Sequence, residues 1–197
     1  MAVLFIQHLA EDVQLGVWKI DESLEELELA FPHLQIVLAC HKNNEVKRQK
    51  LAIYALMYQM TGYHTEIIHH NEEGKPLLAN LQISISDTKG FVAVIIGMNR
   101  NVAVDIEYQN DRVNRIASRF IRNDEKAPNV TSQLVHWSAK ETTYKYFSSQ
   151  HLQYFDMRLK LFTTEENGTT IVEDLKDFSL LSVHYQVTSH YVLTYTY

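Results

Sequence analysis

Two short segments carry the residue types that could do chemistry. The first is Val102-Ala-Val-Asp-Ile-Glu-Tyr108. On a strand, residues two apart share a face, so Asp105 and Glu107 project together while Val104 and Ile106 go to the other side. Two neighbouring carboxylates repel unless something positive lies between them. A hard divalent cation, Mg2+ first among them, answers that need, because it takes one or two carboxylates and fills its shell with water and phosphate oxygens. A solvated strand edge would show the same letters, and this segment alone does not choose.

The second segment is Trp137-Ser-Ala-Lys-Glu-Thr-Thr-Tyr-Lys-Tyr-Phe147. On a helix, Trp137, Glu141 and Lys145 stand at i, i+4 and i+8 on one stripe. The stripe reads either as a surface Glu–Lys pair, worth about 0.3–0.5 kcal/mol, or as a third carboxylate for a metal with a lysine one turn on to hold phosphate oxygens. A basic cluster, Lys42, Lys47, Arg48 and Lys50, is interrupted by Asn43, Asn44 and Glu45. It is either a solvated helix face or a pocket for a few phosphates.

These residues need elements to hold them. Val3–Ile6 reads as a strand, followed by an apolar segment at Val17–Ile20. A helix capped by Asp21 carries Leu24, Leu27 and Phe31 and is ended by Pro32. Leu51, Tyr54, Ala55 and Tyr58 recur at helical spacing within Glu45–Met60, and Gly62 terminates that helix. Ile67-Ile68 reads as a short strand, Asn71–Pro76 as a turn, and Leu81–Ser86 and Phe91–Gly97 as strands, the latter central because it is nearly all apolar. In the second half, Val102–Glu107 is a strand, Asp111–Ile121 a helix with Val113, Ile116, Ala117 and Phe120 on one face, and Leu134–Phe147 a second helix. Arg158–Phe162, Thr169–Val172, Phe178–Val187 and Tyr191–Tyr195 read as antiparallel strands. Helices followed by strand meanders, twice, indicate α+β halves.

The chain has 197 residues, of which 46% are hydrophobic and 21% charged, which excludes low-complexity disorder and collagen. Its longest near-continuous apolar run, Phe91–Met98, falls short of the ~20 residues of a membrane helix. The first residues reach His8, Glu11 and Asp12 with no basic stretch, so no signal peptide is expected. A single cysteine, Cys40, excludes an internal disulfide framework and a Cys-rich zinc site. A cytoplasmic location and no membrane partner follow as expectations. The net charge of −6 argues against a general nucleic-acid binder.

Asp-x-Glu on a strand, followed by Trp-Ser-x-Lys-Glu-x-x-x-Lys on a helix, resembles the signature of the 4′-phosphopantetheinyl transferases, and the closer branch is the larger, two-lobed Sfp type. The resemblance runs from about residue 40 to 150 and includes Gly74-Lys75-Pro76, Ile83-Ser-Ile-Ser86 and Arg48 in a basic helix start. It implies two similar α+β lobes about a pseudo-twofold, residues 1–98 and 99–197, forming one compact unit with coenzyme A in the cleft between them. It implies that Asp105, Glu107 and Glu141 bind Mg2+ together with the coenzyme's pyrophosphate, which Lys145 contacts. Arg48, Lys75 and Ser86 match positions that hold the nucleotide end. The implied reaction moves phosphopantetheine onto a serine of an apo acyl or peptidyl carrier protein and releases 3′,5′-ADP. Glu141 would be the general base, and Lys145 would stabilise the departing phosphate. Relatives of this type commonly act as monomers.

One position departs from the pattern. Where the family usually has a histidine that meets the coenzyme's 3′-phosphate, this chain has Asp87, and a carboxylate repels a phosphate. Three alternatives stand beside the transferase. They are a non-catalytic homologue that binds a carrier or a nucleotide, a phosphoesterase using the same acids for hydrolysis, and a histidine metal site at His64, His69 and His70.

Overall fold

The computed structural model describes residues 3–39, 41–62, 67–78 and 81–197; Cys40 and His64 lie outside them. The chain divides into two units, Met1–Asn101 and Val102–Tyr197.

In the first unit, β1 (Val3–Ala10) and β2 (Val13–Lys19) form an antiparallel pair. Helix α1 (Leu24–Ala30) is capped by Ser23 rather than Asp21. The Ser23 hydroxyl accepts from Glu26 N, and the Glu26 carboxylate accepts from Ser23 N, so two orphan donors are satisfied at once. Asp21 pairs with Lys19 instead. Pro32 closes α1 by opening a single 3-10 turn that leads into α2 (Gln35–Leu38). Helix α3 (Asn44–Thr61) starts at the Asn43 cap and stops at Gly62, whose φ of +77° suits a residue without a Cβ.

After α3 come β3 (His69–His70), β4 (Pro76–Leu77), β5 (Gln82–Thr88) and β6 (Phe91–Gly97). The expected strand at Ile67-Ile68 starts at His69 instead. The main sheet runs β1-β2-β6-β5, so the all-apolar segment is interior, and every residue of β6 is buried. Helix α3 packs Leu51, Leu56 and Met57 with Trp18, Val92 and Val94. The approach is tight at Gly16, where an added Cβ would sit 2.9 Å from Leu56 Cδ1 and Met60 Sδ.

The second unit is an antiparallel sheet with a helix across it. Its strands are β7 (Ala103–Tyr108), β8 (Met157–Leu159), β9 (Asn167–Asp174), β10 (Leu180–Val187) and β11 (Tyr191–Thr196), in the order β7-β11-β10-β9-β8. Helix α4 (Val130–Tyr146) lies against β7 and β11. It begins four residues before the expected Leu134, because Asn129 and Ser132 form a reciprocal cap.

The expected helix at Asp111–Ile121 is two 3-10 turns, Asp111–Arg115 and Ala117–Arg119. Ile116 between them has φ −118° and ψ 1°, outside the α region. Both units are therefore α+β, as the segment order implies. Among the described residues, no helix is long and apolar enough to cross a membrane.

Candidate active site

Strand β7 and helix α4 bring four of the singled-out residues into one region of the second unit. Asp105 stands opposite Thr194 of β11 and is 4% exposed. Its Oδ1 accepts from Lys145 Nζ at 2.8 Å, and its Oδ2 accepts from Ser138 Oγ at 2.8 Å. Lys145 also donates to Val104 O at 3.0 Å. The stripe lysine therefore pairs with the strand acid, not with Glu141 in an exposed surface pair.

Beneath Asp105 runs a chain of buried hydroxyls. Ser138 Oγ is 2.9 Å from Thr194 Oγ1, which is 2.6 Å from Thr142 Oγ1. Ser138 spends its one hydrogen on Asp105, so it can only accept from Thr194. Thr194 then donates to Ser138, and the Thr142 hydroxyl reaches both Thr194 Oγ1 and the Thr194 carbonyl, the latter at 3.3 Å. The three hydroxyls thus form a buried chain that ends on the Asp105 carboxylate.

Glu107, two residues along β7, accepts from Trp137 Nε1 at 2.7 Å. Burial pushes its pKa up to about 7, and the charges of Asp105 and Glu141 add to the rise. The Trp137 bond and Lys145 oppose it. Glu141 accepts a 2.6 Å bond from the Tyr154 hydroxyl. Its carboxyl is also raised, first by burial and then by Asp105, against the pull of Tyr154 and Lys145. Three carboxylates thus feel one another across a half-buried site in which Lys145 pairs with Asp105.

Each acid has at least one oxygen engaged by a protein donor, and among the described residues no three His, Cys, Asp or Glu side chains are placed as a ligand set for a metal ion. The donor chemistry still fits Mg2+. It consists of hard carboxylate oxygens, partly desolvated, with mutual repulsion that raises the Glu107 and Glu141 pKa values and that a divalent cation would relieve.

Arg48, Lys75 and Ser86 belong to the first unit. Arg48, on α3, bonds Glu45 at 3.0 Å, while its Nε is buried with no acceptor. Lys75 Nζ donates to Asn101 Oδ1 at 2.7 Å, and burial lowers its pKa. Its turn is fixed by Asn71, whose Oδ1 accepts from Lys75 N. Ser86 is buried on β5, and Asp87 beside it is exposed. His69 and His70 are exposed neighbours on β3.

Two other residues of the helix motif, Trp137 and Lys140, have definite partners. Trp137 packs edge-on against Phe120 while holding Glu107. Lys140 is fully buried and donates to Phe120 O at 2.6 Å, Glu125 Oε2 at 2.8 Å and Tyr154 O at 3.2 Å. Burial lowers its pKa and the Glu125 carboxylate counters this. Glu125 and Tyr154 were missed altogether. Nothing in Asn123-Asp-Glu-Lys126 separates a buried acid from a solvated loop, and Tyr154 follows no periodic pattern.

A site of this build, acids on a strand and a Trp–Glu–Lys stripe on the helix above it, defines a class. Residues 101–196 match the family described as the 4′-phosphopantetheinyl transferase superfamily. The match covers nearly all of the second unit, a little under half of the chain, and makes that segment similar to the domains of this superfamily. No curated protein matches the chain.

Proposed function

We propose that the protein is a Mg2+-dependent transferase of the two-lobed Sfp type, moving 4′-phosphopantetheine from coenzyme A to a serine of an apo acyl or peptidyl carrier protein. The observation that carries this is the cluster of Asp105, Glu107, Glu141 and Lys145 on β7 and α4, inside the segment that matches the family. In the reaction, the carrier serine oxygen bonds to the β-phosphorus of coenzyme A. The pyrophosphate P–O bond breaks, and its electron pair leaves with 3′,5′-ADP.

Glu141 takes the serine proton. Its raised pKa, short of neutralisation by a direct cation partner, makes it a better base than an ordinary surface carboxylate. Lys145, held by Asp105 and the Val104 carbonyl, keeps an ammonium beside the acids for the pyrophosphate oxygens. Asp105, Glu107 and Glu141 would hold Mg2+, which supplies electrostatic stabilisation of charge on the phosphate oxygens. Arg48, Lys75 and Ser86 serve the nucleotide end of coenzyme A. The buried, acceptor-less Nε of Arg48 supports an anion there. Asp87 is exposed, so its repulsion of a 3′-phosphate is screened by water.

Incubation with coenzyme A, Mg2+ and an apo carrier protein should raise the carrier's mass by about 340 Da. Glu141→Ala and Asp105→Asn should abolish that gain while the chain stays folded. No mass gain with the parent protein would refute the transferase. Near-normal turnover in either variant would refute the residue roles.

A further inference from the structure

Consecutive residues of α4 grip Tyr154 at both ends. Lys140 Nζ donates to the Tyr154 carbonyl at 3.2 Å, and Glu141 Oε1 accepts from the Tyr154 hydroxyl at 2.6 Å. Between those ends, the phenol ring lies against the Trp137 indole, with centroids 5.2 Å apart and planes at 34°. The same indole donates to Glu107. One aromatic pair thus supplies a hydrogen bond to each of two neighbouring carboxylates.

The segment carrying Tyr154 is itself pinned. It is a single 3-10 turn, Tyr154–Asp156, in which Asp156 accepts from Gln153 N at 2.8 Å and pairs with Lys176 at 3.1 Å. Lys140 ties that turn to the Phe120 carbonyl and to Glu125. Glu125 in turn accepts from Arg122 N at 2.7 Å and from Leu159 N at 2.7 Å. The hydroxyl that reaches Glu141 is therefore fixed in place before any substrate arrives.

We infer that Tyr154 is a positioning residue, anchored by Lys140, that locks the rotamer of Glu141 and leaves the other carboxylate oxygen to act. A glutamate side chain has several torsions to lose, and ordering it in advance removes that cost from the reacting state. The hydroxyl donates to Oε1, and Oε2 is then the oxygen that would take the serine proton. The catalytic half of this inference rests on the transferase assigned above. The hydrogen bond does not.

Tyr154→Phe in the full chain is the test, because it keeps the ring on Trp137 and removes only the hydroxyl. Transfer to an apo carrier protein should lose about tenfold in kcat, with KM for coenzyme A unchanged within about twofold and the unfolding midpoint unaltered. A purely structural role would move the midpoint and leave kcat alone, and that result overturns the inference. A second measurement reads the bond without turnover. With carboxyl-13C-labelled glutamate, the Glu141 resonance, assigned by its loss in Glu141→Gln, should shift and broaden in Tyr154→Phe. An unshifted Glu141 resonance overturns the positioning whatever the activity. A shifted resonance with kcat unchanged overturns its catalytic half. A parent chain that transfers nothing refutes the transferase, and the resonance then still decides the hydrogen bond.

Discussion

Replacing Glu107 with glutamine should stabilise the protein at alkaline pH and leave it unchanged in mild acid. The Glu107 carboxyl has a folded-state pKa of about 7 against 4.5 for the free group, chiefly through burial and then the charge of Asp105. Between those values the folded chain keeps a proton that the unfolded chain has released. Raising the pH therefore pulls the equilibrium towards the unfolded state, and stability falls until about pH 7 and then levels. The shift corresponds to about 3 kcal/mol. Glutamine cannot ionise, and its carbonyl oxygen still accepts from Trp137 Nε1, so this part of the loss disappears while the packing stays. Urea unfolding of parent and Glu107→Gln at about pH 4 and about pH 8 measures it, with the variant gaining about 3 kcal/mol at the higher pH and almost nothing at the lower. Added Mg2+ at the higher pH should recover part of the loss in the parent and less in the variant. Parallel pH profiles for the two proteins would refute the reasoning.

Two further predictions concern the frame around the site. Gly168→Ala places a Cβ inside the van der Waals shell of the Tyr185 ring, whose hydroxyl donates to Thr163 O and accepts from Glu165 N. Overpacking of this kind costs about 1–3 kcal/mol, visible as a lower urea midpoint. Lys140→Met leaves the Glu125 carboxylate buried without its ammonium and should cost about 3–5 kcal/mol. Adding Glu125→Gln should recover part of that loss, and a double variant no more stable than the single one would show that the ion pair is not the cause.

The parity of β7 was legible in the letters, since the two apolar residues that separate and flank the acids leave Asp105 and Glu107 only one shared face. The α4 stripe was equally legible from Trp137, Glu141 and Lys145. The partner of Lys145 was not, because helical spacing says which residues share a face and nothing of what stands opposite. Ser23-Leu-Glu-Glu26 carried a capping box in plain view, and preferring Asp21 overlooked its reciprocal partner. Asn129 and Ser132 carried the same kind of signal at the start of α4. At Asp111–Ile121 the apolar spacing was genuine, with Val113 and Phe120 buried, but tertiary packing bent the backbone at Ile116 against it. Glu125 and Tyr154 were illegible in principle, since each acquires its meaning only through partners distant in sequence, among them Lys140 for both.

Strand β7 sits at one edge of its sheet and is hydrogen-bonded only to β11 among the described strands. During synthesis that partner emerges long after β7 itself, so an apolar strand must wait with its ladder unfilled, a template for rogue pairing with other nascent chains. Asp105 and Glu107 break the greasy run at two places, and charges so placed act as gatekeepers against aggregation. Neutralising both would therefore be expected to lower the soluble yield on expression, a penalty paid before folding is complete.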